Sequence, residues 1–128
     1  MLRMRQLALL LACAGLATVT SCSRLMHNGS DQAGAQVIFV NQSLDQADVY
    51  VVTDAGSSQR IGTVFAGRTE TLDVPANILA RGGTVSIAAR LLARSLAPRT
   101  GPLTLSAGEQ LQITLPSNAQ SLTVLPAP

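Results

Sequence analysis

The side chains able to do chemistry in this sequence are few and scattered. Its one histidine, His27, lies within Ser23 to Ala35, which holds Asn28, Gly29, Ser30, Asp31, Gln32 and Gly34 with no sustained apolar periodicity and reads as a flexible linker. A general base must be held within about 3 Å of its partner by a packed shell, so Ser-His-Asp and Cys-His chemistry lack a base. Asn41, Asp45 and Asp48 flank one turn and offer three oxygen ligands of the kind Ca²⁺ takes, although no EF-hand loop surrounds them and Asn and Asp favour turns on their own account. Glu70 and Asp73 stand three apart in an expected strand, which sends them to opposite faces and denies them a shared proton. Asp54-Ala-Gly-Ser-Ser58 invites a phosphate-loop reading, but it joins two expected strands, opens no helix and has no lysine beside it, so it reads as a hairpin turn. The most unusual run is Arg90-Leu-Leu-Ala-Arg94-Ser-Leu-Ala-Pro-Arg99. Its three arginines suit either a surface that meets anionic headgroups or an acidic partner, or a guard that keeps a sheet edge from pairing with a neighbour.

The two thiols belong to a different chemistry. Met1 to Gln6 carries Arg3 and Arg5, and Leu7 to Val19 is a largely apolar run of the length of a signal-peptide core, too short for a spanning helix of about 20 residues. At its end stands Val19-Thr20-Ser21-Cys22, which resembles the lipobox of bacterial lipoproteins. That resemblance implies a thioether-linked diacylglyceryl group on Cys22, cleavage between Ser21 and Cys22, and a membrane as partner. Two or three acyl chains give stable attachment where one gives only marginal binding. Ser23, which is not Asp, implies transfer to the outer membrane in a two-membrane host. The same residues also fit the general signal peptidase, which would cut after Ser21 and release a secreted form. Leu10-Leu-Ala-Cys13 mimics the motif but sits too close to the charged end for a full signal core.

Charge and length narrow the classes further. Removing Arg3 and Arg5 with the signal leaves seven arginines against seven acidic residues. A neutral domain has no electrostatic motive for nucleic acid, so none is expected as a partner. At most one cysteine survives processing, so no internal disulfide is available. Removing residues 1–21 leaves about 107 residues, enough for one core without a metal or a staple. We expect no cofactor.

The elements that must position these groups follow from apolar alternation. We read 1–21 as a lipoprotein signal peptide, 22–35 as the lipid-attachment cysteine and flexible tether, and 36–128 as the folded domain. Fully extended, the 13 residues from Ser23 to Ala35 reach about 43 to 47 Å. From Gln36 onward apolar residues recur at every second position in short runs bounded by Gly, Asn, Asp, Ser and Pro, the pattern of half-buried antiparallel strands. Expected strands are Val37 to Asn41, Asp48 to Thr53, Arg60 to Phe65, Thr69 to Val74, Val85 to Leu91, a sixth at Leu103 and Leu105, Leu111 to Leu115, and Leu122 to Leu125. Ala76 to Ala80 suits one helical turn. The fold class is therefore all-β: a single antiparallel Ig-like or Greek-key sandwich of about seven to eight strands after a signal peptide.

The order Val37-Ile-Phe-Val-Asn41, Asp48-Val-Tyr-Val51, Arg60-Ile-Gly-Thr-Val64, a strand closing on Val74-Pro75, and Gly108-Glu-Gln-Leu111 resembles a group of small bacterial envelope β-sandwich proteins. This implies a fold and a location, not an activity. Phe39 and Phe65 read as internal, leaving Tyr50 as a lone aromatic and a poor platform for sugar. The expected function is that of a non-catalytic, membrane-anchored envelope lipoprotein in a structural or protein-binding role, not an enzyme. Its expected interaction surface is Arg90, Arg94 and Arg99. A small-ligand or ion-binding module beside an envelope transport system, using Asp45 and Asp48, is the alternative.

Overall fold

The computed structural model describes residues 34–128; Cys22, His27, the signal segment and all but the last two residues of the expected tether lie outside them. The elements are β1 (Ala35–Asn41), β2 (Ala47–Thr53), β3 (Ser58–Val64), β4 (Thr69–Val74), the one-turn α1 (Ala76–Leu79), β5 (Val85–Leu91), β6 (Gln110–Leu115) and β7 (Thr123–Pro126). They form two sheets, a four-stranded one in the order β4-β1-β6-β7 and a three-stranded one in the order β3-β2-β5. The architecture is thus all-β.

Alternation decides which side of each strand faces the other sheet. Val37 and Phe39 of β1, Val49 and Val51 of β2, Leu72 and Val74 of β4, Ile87, Ala89 and Leu91 of β5, and Ile113 and Leu115 of β6 are all buried in one core. Each of these larger side chains contributes about 1.5–3 kcal/mol by leaving water. Pro75 supplies a φ of −59° at the start of α1, and Ile78 from that turn closes one end of the core. The β2–β3 hairpin is closed by Gly56 N donating to Thr53 O at 2.9 Å, with Gly56 at φ 83°, a conformation that favours glycine.

Three features depart from the sequence reading. First, β1 pairs with β6 in parallel, Gln36 to Asn41 lying beside Gln110 to Leu115, so the fold is not wholly antiparallel. The reason is the path after β5. Pro98 O accepts from Ala89 N, Thr100 N donates to Ile87 O, and Leu103 exchanges bonds with Val85. The chain therefore runs back along the β5 edge and reaches β6 at the end where β1 begins. Second, the expected sixth strand is reduced to isolated bridges, Val85 with Leu103 and Ala88 with Arg99. Pro98 and Pro102 cannot donate to a ladder, and Thr100 Oγ1, not a peptide carbonyl, accepts from Ile87 N at 3.0 Å. Leu105 still joins the core. Third, Ala35 already belongs to β1 and is buried, whereas Phe65 is 61% exposed at the end of β3.

Phe65 shares its end of the fold with two other exposed apolar residues, Leu44 at 86% and Leu92 at 74%. Ala47 is the register partner of both Val64 and Leu91, and Leu92 N donates to Gln46 O at 3.0 Å. These residues gather where β1 ends, opposite the end at which the chain enters it.

Candidate functional site

Of the side chains singled out by chemistry, Asp45, Asp48, Arg90, Arg94 and Arg99 lie on or beside the outer face of the three-stranded sheet. Because Val49, Val51, Ile87 and Ala89 point into the core, the period of two sends Asp48, Tyr50, Ala88 and Arg90 outward. Register sets them in rows: Asp48 lies opposite Arg90, and Tyr50 opposite Ala88. The bridge from Ala88 to Arg99 extends the second row, so Tyr50 and Arg99 flank Ala88. Between these rows and the segment that follows β5 lies a groove of about 430 Å³. Tyr50, Val52 and Ala88 of the sheet and Arg94, Ser95, Ala97 and Arg99 of the returning segment line it, together with Ser58 and Arg90.

A bulge shapes the opposite side. Val49 pairs with Gly62 but Tyr50 pairs with Arg60, so Ile61 is an extra residue in β3. In a regular strand Arg60 and Thr63 would face opposite ways; the inserted residue puts both outward. Both then reach Asp48: Arg60 Nη2 lies 3.1 Å from Asp48 Oδ1, and Thr63 Oγ1 donates to the same oxygen at 2.6 Å.

The loop between β1 and β2 is organised from within. Asn41 and Ser43 are buried polar residues. Asn41 Nδ2 donates to Asp45 O at 2.8 Å and to Val64 O at 3.0 Å, while Asn41 Oδ1 accepts from Ser43 N at 3.0 Å and lies 2.7 Å from Ser43 Oγ. This fixes Asp45, whose Oδ2 is 2.7 Å from Arg94 Nε. A buried asparagine thus sets a loop, the loop sets a carboxylate, and the carboxylate holds one wall of the groove.

The arginines of the expected interaction surface consequently divide into two roles. Arg94 is held by Asp45 and positions the wall. Among the described residues Arg90 and Arg99 have no carboxylate within ion-pair distance. Asp45 and Asp48, the expected oxygen ligands of an ion site, each hold an arginine instead. Glu70 and Asp73 are both exposed on β4, and Asp73 Oδ1 accepts from Gln36 Nε2 at 3.1 Å. Asp54 serves structure at the other end of the sheet: it accepts from Thr84 Oγ1 at 2.6 Å and Thr84 N at 2.8 Å. The Thr84 hydroxyl first, and its amide second, hold the Asp54 carboxyl below its ordinary pKa against a small opposing desolvation.

The sequence reading weighed Tyr50 only as a sugar platform and Asn41 only as an oxygen ligand, and missed the row that Tyr50 shares with Arg99 and the relay through Asn41. Alternation does turn Tyr50 outward, but its arginine neighbours are set by strand register, which composition does not reveal.

No family model matches the chain, and no curated protein matches it. Among solved structures it is similar to one described as the NMR structure of a protein from Eubacterium rectale, at 12% sequence identity and a TM-score of 0.47, over 77% of this chain and 94% of that one.

Proposed function

We propose that this chain is a non-catalytic, lipid-anchored envelope protein whose sandwich binds a protein partner on the outer face of the three-stranded sheet. The anchor rests on Val19-Thr20-Ser21-Cys22 after a charged and then apolar segment, with the outer membrane as its site in a two-membrane host. The binding role rests on one observation: the groove carries Arg90 and Arg99 with no carboxylate at ion-pair distance, on a wall fixed by the Asp45–Arg94 pair. Buried aromatics and arginines dominate binding energy at protein interfaces, and here one tyrosine and two arginines share a concavity. The lining side chains supply cations, hydroxyls and methyl groups, with no carboxylate or imidazole to serve as a base. We further propose the Ig-like, Greek-key kind of sandwich. The passages of the chain from one sheet to the other after β1, β3, β4 and β5 support it, with the parallel β6 as a variation.

Two measurements test this reading. Cys22→Ser should move the protein from the membrane fraction to the soluble one and remove the fatty-acid mass from its first tryptic peptide; retention in the membrane would refute the anchor. A photo-crosslinking side chain at Ala97 should capture a discrete protein in intact cells, and the same group at Thr71, on the outer face of the other sheet, should not. Equal labelling from both positions would refute the binding face.

A further inference from the structure

We infer that the groove beside β5 takes an acidic segment of its partner, with a carboxylate seated between Arg90 and Arg99 and an apolar side chain resting on Tyr50. This rests on the protein-binding reading above and names the chemistry of the partner.

Charge is the first ground. The described residues hold six arginines and six acidic residues, but they are not evenly spread. Four of the arginines, Arg60, Arg90, Arg94 and Arg99, lie on or beside the outer face of the three-stranded sheet, against the two carboxylates of Asp45 and Asp48. Both carboxylates are taken, by Arg94 and Arg60. The face therefore keeps an excess of two cations, and both border the same groove.

Geometry is the second. Arg99 bridges Ala88 across the sheet edge, and Arg90 lies two residues along β5 from Ala88, so strand spacings put the two Cα atoms roughly 8 Å apart. Guanidinium groups on long stems at that separation can close on one carboxylate from both sides, and their planar donor forks match its oxygens. The half-buried ring of Tyr50 beside them offers apolar surface.

Rigidity is the third. Arg99 is tied to the sheet by its flanking residues: Pro98 O accepts from Ala89 N at 2.9 Å and Thr100 N donates to Ile87 O at 2.8 Å. Earlier in the same segment, Arg94 lies at ion-pair distance from Asp45. A preformed site loses little freedom on binding. Its concavity fits a protruding side chain of a polypeptide better than the flat surface of a bilayer.

The test uses the full chain in neutral detergent micelles and two fluorescein-labelled peptides, Leu-Asp-Leu-Asp-Leu and its counterpart with Asn in place of Asp, followed by fluorescence anisotropy. The Asp peptide should bind about tenfold or more tightly than the Asn peptide, and its binding should weaken with salt. Arg90→Gln combined with Arg99→Gln should remove that advantage, while Arg68→Gln, in the turn before β4, should leave it intact. Equal binding of the two peptides, or an Asp preference that survives the double substitution, overturns the inference. So does phosphatidylglycerol vesicle binding that depends on Arg90 and Arg99 in the absence of peptide discrimination, which would assign the site to lipid. If the double variant melts early, the salt dependence and Asp preference of the parent chain still decide. Crosslinking from Ala97 with no Asp preference would leave the protein-binding reading standing and remove this one alone.

Discussion

Replacing Asn41 by alanine removes the side chain that ties the β1–β2 loop to the end of the sandwich. Its amide nitrogen serves Asp45 O and Val64 O, and its oxygen serves Ser43 N and Ser43 Oγ. Asn41 is 1% exposed and Ser43 2%, so water cannot take the vacated positions without opening the loop. Ser43 Oγ lies 3.1 Å from Asp45 O and can turn to it once Asn41 is gone, which repairs two of the four losses, that of the hydroxyl and that of the Asp45 carbonyl. The Ser43 amide and the Val64 carbonyl lose the asparagine outright. A buried peptide group left without its partner costs about 1–3 kcal/mol, so the pair amounts to about 4 kcal/mol, a large share of the 5–15 kcal/mol typical of a domain. At roughly 4–8 °C per kcal/mol for this size, melting should fall by about 15–30 °C. Thermal and urea unfolding followed by circular dichroism measure it. Ser43→Ala should cost about 1–3 kcal/mol more in the Asn41→Ala background, because its hydroxyl is then the side chain left to serve the Asp45 carbonyl. An Asn41→Ala protein that melts within about 3 °C of the parent, a loss under 1 kcal/mol by the same conversion, would refute the reasoning.

The other predictions concern the remaining polar and steric contacts. Asp54 is held below its ordinary pKa by Thr84; a depressed folded value means that its contribution to stability is complete above the unfolded value and lost as pH falls through the folded one. Asp54→Asn should therefore flatten the acid limb of the melting profile below about pH 4, and Thr84→Val should return the Asp54 carboxyl toward its ordinary range in an NMR titration. Calcium should leave the melting temperature unchanged, because Asp45 and Asp48 already hold Arg94 and Arg60; a saturable rise would restore the ion-binding alternative. Gly34→Ala should destabilise by about 1–3 kcal/mol in urea unfolding, since its Cβ would overlap the Val74 carbonyl and force the backbone apart.

Local pattern and long-range pairing were not equally legible. Ile87, Ala89 and Leu91 alternate with Ala88 and Arg90 so plainly that β5, its inner face and the outward turn of Arg90 can be read from residue types alone. The pattern at Leu103 and Leu105 looks the same, yet it gives only a bridge, because alternation reports burial and Leu105 is buried without a ladder. Nothing in Gln110 to Leu115 announces a parallel neighbour; direction follows from the route of residues 92–109 along β5. The bulge at Ile61 turns both Arg60 and Thr63 outward, and the strand glycine beside it, Gly62, is the one local signal of it. The arginine run and the Asp45–Asp48 turn were legible only as separate candidates for two different functions. What stayed hidden was that an aspartate and an arginine 49 residues apart, Asp45 and Arg94, lie at ion-pair distance, while Arg90 and Arg99 have no carboxylate so placed among the described residues.

The placement of β1 has a consequence for the order of assembly. As the first strand made, it lies between β4 and β6, and its second flank stays bare until Gln110–Leu115 exists. Phe39, the largest buried side chain, therefore waits on residues near the C-terminus for its full enclosure, and such distant pairing makes closure slow. On the export route proposed above this lateness is an advantage, since the polypeptide stays thin enough to pass a translocation channel until most of it has crossed.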